Sequence, residues 1–121
     1  MKTLTEEAMK AVAEMRPAMV ATASRDGRPN VSAKGSIRVL DERSVAFADV
    51  ASPRTMANLR ENPLVSILCL DTARHRSCRI WGTAELLSSG PLFEELGREL
   101  AGRSMVVKSV VRVTVQDFEL S

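Results

Sequence analysis

Apolar positions change period several times along the chain, and each change marks an element. Leu4, Ala8, Ala11, Val12 and Met15 recur at helical spacing, Thr5 with Glu6 and Glu7 suits a helix start, and Pro17 stops it. This predicts an opening helix. Residues 17–24, PAMVATAS, read as a buried strand, and Arg25-Asp26-Gly27-Arg28 carries the Asp-Gly signature of a hairpin turn. The return strand is expected from Pro29 to about Leu40. Lys34, Gly35, Ser36 and Arg38 make its middle unusually polar, and Gly35 marks either a bulge or a place where something approaches the backbone.

Asp41-Glu42-Arg43-Ser44 reads as a second turn, and VAFADV, residues 45–50, as a third strand that runs into a short helix from Ser52 to Arg60, before Asn62-Pro63. Three strands in hairpin succession imply an antiparallel meander. LVSILCL (64–70) is a fourth strand, DTARHRS a loop, and CRIWGTAELL (78–87) a fifth strand with Gly82 as a bend. Gly90-Pro91 opens a helix with Leu92, Phe93, Leu96 and Leu100 on one stripe, and SMVVKSVVRVTVQDFEL supplies a long β-branched final strand. The expected fold is mainly β: a single domain over 1–121, a six-stranded antiparallel barrel with short helices, closed because closure removes exposed edges. The last strand is apolar on more than one face, which points to a homodimer packed along strands.

Composition narrows the chemistry. A chain of 121 residues with mixed charges, a formal net charge of +2, one Trp, three Phe and no Tyr carries neither a basic stripe nor a stacking platform, so nucleic acid is not expected as a partner. No apolar run is long enough to cross a bilayer and the N-terminus does not read as an export signal, so no membrane partner is expected and the cytoplasm is the expected compartment. Cys69 and Cys78 read as small core residues rather than a disulfide framework or metal site. The single histidine, His75, lies between Arg74 and Arg76 without partners for nucleophilic catalysis, and no phosphate loop or dinucleotide fingerprint occurs. Chemistry, if this chain performs it, belongs to a cofactor.

The start of the second helix is the strongest candidate for holding one. Ser52 fits an N-cap, Pro53 the first helical position, and Arg54 and Thr55 offer charge and hydroxyl beside unpaired backbone donors, a seat for a phosphate. A capped surface helix is the plainer reading of the same four residues.

The stretches ATASRDGRPNVSAKGSIRVLD, VAFAD, SPRTMANLRENPLVSILCLD and RIWGTAEL, followed by the helix at Phe93-Glu94-Glu95, resemble in this order the FMN-binding split β-barrel proteins related to pyridoxamine 5′-phosphate oxidase, in their short stand-alone form. The resemblance implies FMN at a homodimer interface. It implies Arg54 and Thr55 as phosphate ligands with Ser52 nearby, and a strand at Lys34, Gly35, Ser36 and Ile37 whose backbone runs beside the isoalloxazine ring. It also implies Ala48, Asp49 and Val50 lining the other side, and Trp81 approaching the flavin of the partner subunit or serving as a core aromatic. Arg38 is left between the phosphate and a carboxylate. The function implied is a flavoprotein oxidoreductase passing hydride or electrons between a reduced nicotinamide or redox protein and a small acceptor. The alternatives are a non-catalytic FMN carrier or a relative binding haem or a deazaflavin. The full oxidases of the family are longer, with a C-terminal segment that forms part of the substrate pocket.

Overall fold

The computed structural model describes residues 2–121. Helix α1 (Glu6–Glu14) is capped by the Thr5 hydroxyl, which accepts from the Ala8 amide at 3.1 Å, and it buries Ala8, Ala11 and Val12. Seven strands follow rather than six: β1 (Ala18–Ala23), β2 (Pro29–Lys34), β3 (Arg38–Asp41), β4 (Ser44–Asp49), β5 (Leu64–Asp71), β6 (Arg76–Leu87) and β7 (Ser109–Leu120). Helix α2 (Pro53–Glu61) lies between β4 and β5, and α3 (Pro91–Ala101) between β6 and β7.

The expected strand from Pro29 to Leu40 breaks at Gly35, Ser36 and Ile37, and the break decides the topology. All pairs are antiparallel in the order β2-β1-β5-β6-β7-β4-β3, so β2 and β3 are adjacent in sequence and stand at opposite ends of the hydrogen-bonded order. The meander expected from the turns is therefore two separate hairpins, β1–β2 and β3–β4, and the sheet curls into a split barrel whose seam is crossed by residues 35–37. Ile37 is fully buried in the interior, which anchors the crossing.

The main core lies inside the sheet beneath α1, built from Val20, Ile67, Ile80, Phe47, Val111, Val113 and their neighbours. A second, smaller core forms where Leu96 and Leu100 of α3 pack on Ala46, Ala48 and Val110. Strands β4 and β7 are thus covered on both sides. That is the physical reason β7 reads as apolar on two faces: Val110, Val111, Val113 and Val115 are all buried within one chain. The apolar excess from which a dimer was expected is absorbed by α3, and only Val106, in the loop before β7, stays prominent at 77% exposed.

The register of β6 on β7 shifts between Trp81 and Gly82, so the bend expected at Gly82 is a bulge in the longest ladder of the sheet. Cys69 and Cys78 stand directly opposite each other on β5 and β6, both buried and both free thiols. Their separation in sequence concealed the pairing. No helix among the described residues is long and apolar enough to cross a membrane.

Candidate functional site

The alternation of β2 places Asn30, Ser32 and Lys34 on one face, paired in register with Thr22, Val20 and Ala18 of β1. Helix α2 lies against this face. The Thr55 hydroxyl meets Ser32 Oγ at 2.9 Å and accepts from Asn30 Nδ2 at 3.3 Å, while Lys34 Nζ donates to Ser52 Oγ at 2.6 Å. A polar row therefore runs along the strand beneath the helix start.

Ser52 occupies the N-cap position without using its side chain as a cap. Its hydroxyl donates instead to Asp49 Oδ1 at 2.9 Å, and its own amide reaches the same oxygen at 3.3 Å. The expected hydroxyl cap gives way to a stronger acceptor, because a buried carboxylate needs donors more than the helix amides need an internal one. Ser109 Oγ donates to Asp49 Oδ2 at 3.2 Å, completing a chain from Lys34 through Ser52 and Asp49 to β7. Burial pushes the Lys34 ammonium below its usual pKa, and the charge of Asp49 opposes that shift. The first amide of α2 to close on a carbonyl is that of Met56, on Ser52 O at 3.1 Å. The amides of Arg54 and Thr55 precede it and remain for an outside acceptor.

Two hollows flank the row. The first, about 340 Å³, is lined by Ala33, Lys34, Gly35 and Ser36 at the strand break, by Ala48, Val50 and Ala51 past β4, and by Glu99, Leu100, Arg103 and Met105 at the end of α3, with Arg16 at its edge. The second, about 470 Å³, lies between the β1–β2 turn and α2 and includes Arg28, Asn30 and Arg54 together with Asp26 and Glu61. Arg54 makes no ion pair among the described residues.

The structure thus brings Lys34, Gly35, Ser36, Ala48 and Val50 together around one hollow, and links Ser52 and Asp49 to it through Lys34. Arg54 faces the other hollow, and Thr55 is buried between the two. Ile37 is buried in the core and does not line the hollow, contrary to the expectation for it. Trp81 lines neither hollow; it is half-buried on the outer face of β6, with the Arg79 guanidinium 5.9 Å from its ring centre. Arg38 is resolved by a carboxylate of the same chain: its Nη1 donates to Glu99 Oε2 at 2.5 Å, and this bond holds the Glu99 carboxyl below the usual range. His75 is exposed in the β5–β6 turn, and no metal-holding cluster occurs among the described residues.

Sequence reasoning missed Glu99 and Arg103, which reach the hollow because α3 folds back over β4, and Arg16, which reaches it from the link between α1 and β1. It also missed Asn30 and Ser32. Their period-two spacing with Lys34 was a visible signal that the face is polar.

A profile of the pyridoxamine 5′-phosphate oxidase family matches residues 4–120, nearly the whole chain. The chain belongs to that family. It is 38% identical over 89 residues to an uncharacterized protein of Methanocaldococcus jannaschii, a match covering 72% of this chain and 58% of the relative, so it spans less than two thirds of that protein. The structure of HupZ from Group A Streptococcus shares its fold with a TM-score of 0.88 at 28% identity, covering 97% of this chain and 93% of that one. An FMN-binding protein from Syntrophomonas wolfei shares it with a TM-score of 0.84 at 15% identity, covering 94% and 86%. These likenesses agree with the seven-stranded split barrel of the family member described above.

Proposed function

We propose that the protein binds FMN and acts as an oxidoreductase, passing hydride or electrons between a reduced nicotinamide or redox protein and a small acceptor. One observation carries the reading. The polar row of β2 joins an unpaired guanidinium and two free amides at the start of α2 to a hollow floored by small residues at the strand break.

The donor set fits the two ends of the cofactor. Arg54 with the first amides of α2 suits a doubly charged phosphate. Thr55, already tied to Asn30 and Ser32, fixes the helix against the strand and so fixes where that phosphate sits. Gly35, Ala33 and Ala48 leave room for a flat ring, with Gly35 and Ser36 offering backbone groups to its polar edge. Lys34, held by Ser52 and through it linked to Asp49, lines the slot, and Ala48 and Val50 close its other side. FMN bound there would supply the redox step. Family membership and the FMN-binding relative support this assignment.

A homodimer belongs to the same reading, on a surface other than β7. The outward face of β1, β2 and β5 exposes Met19, Val31, Leu64 and Leu70 beside Trp81, an apolar patch of the kind that second copies cover.

An absorbance spectrum of the purified protein, taken before and after adding FMN and desalting, tests the cofactor. The two visible bands of an oxidised flavin should persist after desalting. A protein that emerges colourless contradicts the proposal, and a Soret band would replace FMN by haem.

A further inference from the structure

Cys69 and Cys78 are a pair whose chemistry the flavin reading leaves unused. They stand directly opposite each other on β5 and β6, both 0% exposed and both free thiols. Opposed residues of a ladder carry their side chains on the same face, and here that face is the main core. Burial pushes the Cys69 thiol up, and the Cys78 sulfur adds to the shift, as expected for two sulfurs within reach of each other.

The register fixes which kind of pair this is. Ser77 and Ser121 exchange both backbone bonds, at 2.9 and 3.0 Å, so Ser77 turns its amide and carbonyl toward β7. Cys78, the next residue, therefore turns its own toward β5, as Ala84 of the same alternation does when its amide donates to Pro63 O at 2.8 Å. Cys69 and Cys78 thus form a hydrogen-bonded rung, in which Cα atoms lie about 5.5 Å apart. The backbone spacing suits a disulfide, but the Cβ atoms of such a rung stand wider than the roughly 3.8 Å of a relaxed bridge. A cross-link here carries strain, and strained bridges are the readily reduced ones.

Access is set by the end of the hairpin. Only two rungs, Leu70 with Ser77 and Asp71 with Arg76, separate the pair from the β5–β6 turn, and the turn itself is exposed. Fraying from this end uncovers both sulfurs without unfolding the sheet.

We propose that Cys69 and Cys78 form a reversible cross-strand disulfide, with a small-molecule disulfide as the oxidant. In the frayed hairpin the thiolate of one cysteine attacks a sulfur of the oxidant, whose S–S bond breaks and releases one small thiol. The second cysteine then attacks the protein sulfur of this mixed disulfide, the mixed bond breaks, and the second small thiol leaves. Two electrons pass from the cysteine pair to the oxidant, and the two thiol protons leave with the released thiols. A close-packed core has no room for the mixed disulfide, so the re-pairing of β5 and β6 drives the second step.

Oxidised glutathione is the probe. The full chain, incubated with an excess of it, quenched in acid and then alkylated in denaturant, should give one mass, two hydrogens below the reduced chain, with neither alkyl group nor glutathione attached. Dithiothreitol should restore both alkylatable thiols. Refolding from urea in the same glutathione buffer should give the same product faster, because the fraying step is then removed. Cys69→Ala and Cys78→Ala, each with a methyl in place of a thiol, should never lose the two hydrogens and should carry at most one glutathione. A native chain that refolds in this buffer with both thiols still alkylatable would overturn the proposal. So would a glutathione adduct that accumulates on the native chain, or a disulfide between two copies on a non-reducing gel.

Discussion

Gly82→Ala should lower the stability of the protein by about 2–3 kcal/mol, the cost of forcing atoms into a space already filled. A Cβ at this position would stand 2.4 Å from Thr114 O and 2.6 Å from Val113 Cγ1. The first of these is backbone of the neighbouring strand, which cannot rotate away, and the second belongs to a valine packed in the main core. Relief requires β6 and β7 to separate at the bulge, in the ladder that joins the two hairpins into one sheet. Urea denaturation should show a lower midpoint with an unchanged slope. Gly97→Ala in α3 is the control: nothing lies within 4 Å of its Cβ position, and alanine favours a helix, so that variant should gain about 0.5–1 kcal/mol. Equal midpoints for the two variants would show that β7 yields where the contacts say it cannot.

Arg54→Ala should weaken FMN binding by about 1.5–3 kcal/mol, roughly ten- to a hundred-fold, as expected for the loss of a charge-assisted bond to a phosphate. The residue lies in the first turn of α2, exposed and without an ion-pair partner among the described residues, so its removal leaves no buried group unsatisfied. Stability should therefore stay within about 0.5 kcal/mol of the native chain, which separates a binding effect from a folding one. A flavin fluorescence titration measures the affinity. An unchanged value would take Arg54 out of the site. Asp26 and Glu61, on the other walls of the same hollow, set the limit on the effect, because they oppose an anion that approaches from that side.

Much of the fold was legible because its elements are announced locally. Thr5 caps a periodic helix, Asp26-Gly27 closes a hairpin with Gly27 at φ 89, and β5 alternates buried and exposed positions as a half-covered strand should. The break at Gly35 was visible as polarity and as a glycine that read as a bulge, not as a crossing, since a run of extended residues looks the same whether it continues or crosses a seam. Non-local pairing was out of reach for the same reason: the turn at residues 41–44 announces that β3 pairs with β4, but nothing in the sequence of β4 says that its other neighbour is β7. Apolar residues on both faces of β7 call for a cover without saying whether the cover is α3 or a second copy, and α3 supplies one at Val110. For the site, the candidates were residues that cluster in sequence, and the structure brings Lys34, Gly35 and Ser36 to one hollow and Arg54 to the other. Arg16 and Arg103 were not among them, because they reach the hollow only through the fold, from the α1–β1 link and from the end of α3.

The opposed pair at Cys69 and Cys78 gives the chain a clock. Burial pushes the Cys69 thiol up to about 12, with Cys78 adding to the effect, and Cys78 is raised by burial as well. Neither thiol offers a thiolate to reagents near neutral pH while β5 and β6 stay together. Labelling by a thiol dye should then proceed only as fast as the strands part. Two natural residues report the rate of opening at the middle of the sheet, and ligands that hold the barrel shut should slow that reaction in proportion to their binding.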